Sequence, residues 1–177
     1  MDPERATSIR LLCLDVDGVL TDGRITLDAD GREIKTFNVQ DGMGIRLWQE
    51  AGHDVAIITS RSSEAVTRRA AELGIEHVHQ GCRDKSHALQ SILEATGCTL
   101  DEVAAVGDDL PDLPMLGAVA LPVAVHNAVE EIKAIAVHTT ERAGGLGAVR
   151  ELIEDLLRAQ GRWDDLVDAR STPLLKG

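Results

Sequence analysis

The chain has 177 residues, 44% of them hydrophobic and 27% charged, which suits one globular domain able to fold without disulfides or a structural metal. Its formal charge of −12 argues against nucleic acid and anionic membrane surfaces as partners, since both are bound through basic residues. An anionic substrate would therefore need a metal cation or a few placed Lys and Arg side chains.

Taken in chain order, the N-terminus shows no basic-then-apolar leader pattern. The apolar run at 9–14 predicts a strand buried on both faces, with Asp15 and Asp17 in the loop after it. Residues 24–28 and 32–38 flank Ala29-Asp30-Gly31, whose Asp-Gly favours a tight turn, so a β-hairpin flap is expected at 24–38. Strands follow at 55–58, 103–106 and 121–125, with shorter ones at 76–79 and 136–139. Between them, apolar residues at three- and four-residue spacing predict helices at 41–51, 63–73, 85–96, 111–117, 128–134 and 147–160. Gly52, Gly74 and Gly97 stand where helix C-caps need a left-handed residue. From 161 to 177 the periodicity is weak and Pro173 interrupts it, so this stretch reads as a tail. The alternation predicts an α/β, Rossmann-like, doubly wound parallel sheet over 1–160, with no large cap domain inserted. No apolar run approaches membrane-spanning length. Cys13, Cys82 and Cys98, odd in number and without a CxxC pair, point to a reducing, cytoplasmic setting.

In such a sheet, ligands bind beyond the carboxyl ends of the strands. A lone Asp-x-Asp there reads most simply as a polar loop, but each later strand also ends in a functional-looking polar group. Thr59 follows 55–58, Lys85 opens the helix after the short strand at 76–79, and Asp108, Asp109 and Asp112 follow 103–106. Two carboxylates about 4 Å apart repel by roughly 4 kcal/mol at an effective dielectric of 20, so five at one edge require a counter-ion. Oxygen-only ligands beside a phosphate favour Mg²⁺, and their scatter along the chain argues against a Ca²⁺ loop.

These elements, in this order, resemble the haloacid dehalogenase superfamily of phosphotransferases. The resemblance implies Asp15 as nucleophile, Asp17 as general acid and base, and Thr59 and Lys85 as phosphate-binding groups. It implies Mg²⁺ held by Asp15, Asp108 and the backbone carbonyl of Asp17, with Asp109 and Asp112 orienting water and Lys85. A closer resemblance, carried by DVDGVLTDG, FNVQDGMGIR, Gln80-Gly81 with Lys85, VGDDLPDLPM and AGGLGAVRE, is to the small tetrameric phosphatases of 3-deoxy-D-manno-octulosonate 8-phosphate in lipopolysaccharide precursor synthesis. It implies a capless cytoplasmic enzyme, a homotetramer in which a neighbouring subunit closes the site, and Arg61 and Arg69 reaching a sugar-acid substrate across that boundary. Phosphatases of nine-carbon sialic-acid-type 9-phosphates are the alternative, although they tend to carry Glu at the position of Arg61. The chain departs from the pattern at Ser60, where the family usually has Gly, and at Val125-His126-Asn127-Ala128.

Two readings from other classes compete. A phospho-accepting receiver domain shares the aspartyl-phosphate chemistry but places its acidic pair and its acceptor in a different order, and a non-catalytic accessory module would not need the full set of charged groups. His77 and His79 have no third ligand in company and read as structural. The glycines at 144, 145 and 147 suit either an anion cradle or a plain turn, and Trp48 and Trp163 read as packing residues.

Overall fold

Leu11-Leu-Cys-Leu14 has no polar side chain to keep either face wet, and all four residues are buried in strand β1 (Leu11–Leu14). The computed structural model describes residues 3–171. In it β1 pairs in parallel with β4 (Asp54–Ile58) on one side and with β6 (Val103–Gly107) on the other. With β5 (His77–His79), β7 (Leu121–Ala124) and β8 (His138–Thr139), the six-stranded sheet runs β5-β4-β1-β6-β7-β8, every pairing parallel. The chain winds outward from β1 to β5, then crosses back to β6 and winds outward again. Its topological switch point therefore lies between β1 and β6, where a doubly wound sheet opens a crevice.

Helices α2 (Val39–Glu50), α3 (Glu64–Leu73), α4 (Lys85–Thr96), α5 (Leu113–Leu116), α6 (Glu130–Ile135) and α7 (Ala148–Ala159) stand close to their expected positions. The helix expected at 111–117 is shared between a 3₁₀ turn, Leu110–Asp112, and α5. Helix α7 buries Val149, Leu152, Ile153, Leu156 and Leu157, one face at helical spacing, and packs on α2. Gly74 and Gly97 take left-handed φ at their C-caps, as anticipated.

The hairpin forms within 24–38: β2 (Thr26–Leu27) pairs antiparallel with β3 (Glu33–Ile34). Asp28 Oδ1 accepts the N–H groups of Asp30 (2.9 Å) and Arg32 (2.8 Å), which stitches the turn.

Two stretches differ from the sequence expectation. Helix α1 (Pro3–Ser8) precedes β1, and over residues 4–8 only Ala6 is buried, too little apolar pattern to announce a helix. The segment read as a tail from 161 needs correction over Trp163–Ser171, which forms helix α8. One anchor explains why periodicity missed it: Trp163 is buried against α7, with the guanidiniums of Arg150 and Arg158 5.2 and 4.9 Å from its ring centroid. Residues 172–177 of that segment lie outside the described residues. Among the described residues, no helix is long and apolar enough to cross a membrane.

Candidate active site

Because β1 and β6 are neighbours in parallel, their last residues deliver Asp15 and Asp108 to the same edge, one on each side of the switch point. Loops after β1, β4 and β6, with the start of α4, surround a cleft of about 280 Å³ whose lining includes Asp15, Asp17, Arg61, Lys85, Asp108 and Asp112. The Asp15 N–H donates to the Val106 carbonyl (3.2 Å), which extends the sheet ladder one residue beyond β1 and fixes the exit of the side chain.

Lys85 is the first residue of α4, whose start is capped by the Asp84 carboxylate accepting the Ser86 N–H at 2.9 Å. Its Nζ lies 2.5 Å from both Asp15 Oδ1 and Asp112 Oδ1. Burial alone would push this ammonium toward its neutral form, but Asp15 and Asp112 outweigh that and raise its pKa. The other oxygen of Asp112 accepts the N–H groups of Asp108 (2.9 Å) and Asp109 (3.3 Å). Asp112 therefore has both oxygens engaged by protein donors and acts as a brace between Lys85 and the 108–109 loop. Asp109 caps the turn that follows, its Oδ1 accepting the Leu110 N–H at 2.8 Å.

Asp15, Asp108 and Asp112 each present an oxygen within 4.8 Å of the others. Burial first, then the neighbouring carboxylates, pushes the pKa of Asp15 up to about 7 despite Lys85, and that of Asp108 likewise to about 7. Carboxylates crowded so closely, with hard oxygen donors and one lysine among them, fit a divalent cation. Since Asp112 is already engaged, Asp15 and Asp108 are the side chains free to hold it.

The backbone is shaped to allow this approach. Gly18 has φ of +99°, and a Cβ there would lie 2.0 Å from Asp108 Oδ2. The glycine-rich loop packs directly behind: a Cβ on Gly144 would meet the Gly18 carbonyl at 1.6 Å, and Asn127 Oδ1 accepts the Gly144 N–H at 2.8 Å. That loop is a support for the Asp15–Gly18 turn.

The remaining expected residues divide. Thr59 ends buried beyond β4, its N–H donating to the His79 carbonyl (2.9 Å), and Ser60 and Arg61 line the cleft where Thr59 does not. Arg61 Nη2 lies 2.5 Å from Glu33 Oε1, and its Nε lies 3.6 Å from Asp17 Oδ2. Arg69 stays away from the cleft of its own chain; it pairs with Glu72 at 2.8 Å and lies against Gly42 of α2. His77 and His79 do not join the carboxylate group.

Sequence reasoning missed Lys35 and Glu33. Lys35 reaches back from the hairpin to form an ion pair with Asp17 and stands 3.4 Å from Glu33. Two signals could have found them: period-two alternation puts both on one face of the hairpin, and the chain holds only four lysines, one of which is Lys85.

A model of the haloacid dehalogenase-like hydrolase family matches residues 75–152. A relative from Escherichia coli strain K12, a 3-deoxy-D-manno-octulosonate 8-phosphate phosphatase, is 47% identical over 161 residues, 91% of this chain and 86% of its own. The chain belongs to the haloacid dehalogenase-like hydrolases. This hydrolase also matches the crystal structure of the 3-deoxy-D-manno-octulosonate 8-phosphate phosphatase from Moraxella catarrhalis in complex with magnesium, phosphate and a KDO molecule. There the TM-score is 0.92 and the identity 42%, covering 95% of this chain and 97% of that one. For the enzyme of the same name from Yersinia pestis the TM-score is 0.90 and the identity 44%, covering 92% and 88%. With these neighbours the parallel sheet, the hairpin and the lack of a large cap domain are features of a hydrolase fold.

Proposed function

We propose that this hydrolase is a magnesium-dependent phosphatase that converts 3-deoxy-D-manno-octulosonate 8-phosphate to the free sugar acid and phosphate through an aspartyl-phosphate on Asp15. The observation that carries the reading is Asp15 itself, a carboxylate 5% exposed at the cleft, 2.5 Å from the Lys85 ammonium and grouped with Asp108. The substrate follows from the 47% identical relative and from the matched structure that holds magnesium, phosphate and KDO.

In this reading Asp15 attacks phosphorus in line, its oxygen bonding to phosphorus as the bond to the sugar oxygen breaks, and Asp17 gives its proton to the departing alkoxide. Water then attacks the phosphoryl group; Asp17 takes its proton, the phosphorus bond to Asp15 breaks, and phosphate leaves. Lys85 stabilises the phosphoryl oxygens, and the Thr59 hydroxyl, buried beside the cleft rather than lining it, is the second phosphate donor that the family resemblance implies. Asp15, Asp108 and the Asp17 backbone carbonyl would hold Mg²⁺, which when bound supplies the largest positive charge to those oxygens. Asp109 and Asp112 position the loop and Lys85.

The assembly belongs to the same reading. The hairpin exposes Ile25, Leu27 and Ile34 at 61%, 59% and 50%, apolar side chains on its two faces that support a homotetramer in which a neighbouring subunit closes the cleft and brings Arg61 and Arg69 to the boundary. The free thiols of Cys13, Cys82 and Cys98 support a cytoplasmic setting.

A phosphatase screen over eight- and nine-carbon sugar-acid phosphates, with hexose phosphates as controls and EDTA as blank, tests the substrate. The eight-carbon substrate should lead by at least about tenfold in kcat/KM, roughly 1.4 kcal/mol of discrimination; equal rates on all would remove the assignment. Asp15→Asn should abolish phosphate release while leaving the oligomer intact, and retained turnover would rule out the nucleophile.

A further inference from the structure

Lys35 is an odd residue to find buried. Its side chain is 2% exposed, and an ammonium taken from water is costly unless paired. The pairing is a closed ring of alternating charge. Lys35 pairs with Asp17 and Glu33, and Arg61 pairs with the same two carboxylates, 2.5 Å from Glu33 and 3.6 Å from Asp17. Two members come from the hairpin, one from the loop after β4, and one, Asp17, from the loop after β1.

The two oxygens of Asp17 are treated differently. Oδ1 accepts from Lys35. Oδ2 is buried with no hydrogen-bond partner among the described residues, with the Arg61 Nε 3.6 Å away. A buried carboxylate oxygen without a donor is unfavourable unless a partner arrives, and the cleft that Asp17 lines is where one would arrive. Lys35, its side chain 2% exposed and paired with Asp17 and Glu33, acts through Asp17.

We propose that Lys35 is a positioning residue for the reaction: by engaging Oδ1 it fixes the Asp17 carboxyl so that Oδ2 is the oxygen that passes the proton to the leaving group. The proposal rests on the reading of Asp17 as general acid and base. It makes the hairpin part of the catalytic apparatus, with Glu33 and Arg61 holding Lys35 and Asp17 in register, and it gives a reason for a buried lysine in a flap that leaves Ile25, Leu27 and Ile34 exposed.

The test uses leaving-group dependence. A sugar alkoxide needs a proton to depart, whereas the p-nitrophenolate of p-nitrophenyl phosphate departs as the anion, and kcat/KM reports the step in which the leaving group departs. Lys35→Met in the full-length enzyme should lower kcat/KM by about 100-fold on the sugar-acid phosphate, within the usual range for general acid catalysis, and by less than about fivefold on p-nitrophenyl phosphate. Lys35→Arg, which keeps the cation, should recover much of the loss, and Asp17→Asn should show the same selectivity as Lys35→Met. Lys35→Gln replaces Lys35→Met if the latter does not give the wild-type oligomer. Equal losses on both substrates, or no loss on either, while Asp17→Asn remains selective, would overturn the role of Lys35 alone. A non-selective Asp17→Asn would instead overturn the assignment of Asp17, and this proposal with it.

Discussion

Lys85 carries one positive charge between two carboxylates, 2.5 Å from each, in a position 2% exposed. Removing it leaves Asp15 and Asp112 facing one another, and unpairing a buried charge typically costs about 3–5 kcal/mol. Lys85→Met should therefore lower kcat/KM by more than about 100-fold and destabilise the protein in urea titrations. The destabilisation should be larger at pH 8 than at pH 5.5, because Asp15, whose pKa burial and Asp112 already raise to about 7, escapes the penalty by taking up a proton; a pH-independent loss would contradict this. Gly18 tests the backbone in the same way. Gly18→Ala would bring a Cβ to 2.0 Å from Asp108 Oδ2 at a φ of +99°, so it should reduce Mg²⁺ affinity, read by calorimetry, with a backbone cost of about 1–2 kcal/mol. Affinity equal to wild type would show that the Asp108 carboxylate is not held by this contact. At this scale the sequence was a good guide to the carboxylates after β1 and β6 and to Lys85, and less so to Thr59, which follows β4 but does not line the cleft. Asp15, Lys85, Asp108 and Asp112 meet because parallel strands end at one edge. It was a poor guide to Lys35, whose contact depends on how the hairpin folds back, and it could not tell that Arg69 turns toward α2 in its own chain.

Among the elements, the hairpin has the least support of its own. Strands of two residues cannot stand alone in water, and the hairpin is held by the Lys35–Asp17–Arg61–Glu33 ring. It also exposes Leu27, across from Glu33, with Ile25, and on its other face Ile34, across from Thr26. If a neighbouring subunit covers those residues in the proposed tetramer, Leu27→Glu with Ile34→Glu should lower the mass in light scattering toward that of the monomer, and activity should fall because the cleft loses its closure. An unchanged oligomer would place the interface elsewhere. The other elements were largely legible because each carries its own signal: β1 is apolar throughout, and α7 repeats its buried residues at helical spacing. Helices α1 and α8 were not, since Ala6 and Trp163 are isolated anchors whose meaning depends on distant partners, α7 in the case of Trp163.

For the molecule as a whole, the net charge of −12 acts most strongly on stability where carboxylates are withdrawn from water at the edge of the sheet. Asp15 and Asp108 have pKa values pushed from 3.8 to about 7, by burial first and then by their acidic neighbours. In the metal-free protein both bind protons more tightly folded than unfolded, so between about pH 4 and pH 7 the folded state holds more protons and stability falls as pH rises. His53 and His138, whose pKa values burial lowers, give the opposite slope as pH rises through their range, so the contribution of the site must be taken as a difference from Asp108→Asn. A divalent cation replaces those protons and must compete with them, so its stabilising effect should grow with pH. At pH 8 and about 100 times Kd, Mg²⁺ should stabilise by about 2.7 kcal/mol, a rise in Tm of roughly 5–10 °C for a chain of this size. At pH 5.5 the rise should be less than half as large at the same concentration, and Asp108→Asn should abolish it at both. Equal shifts at the two pH values would mean that the cation binds without displacing protons from Asp15 and Asp108, and the carboxylate pair would then not be its site.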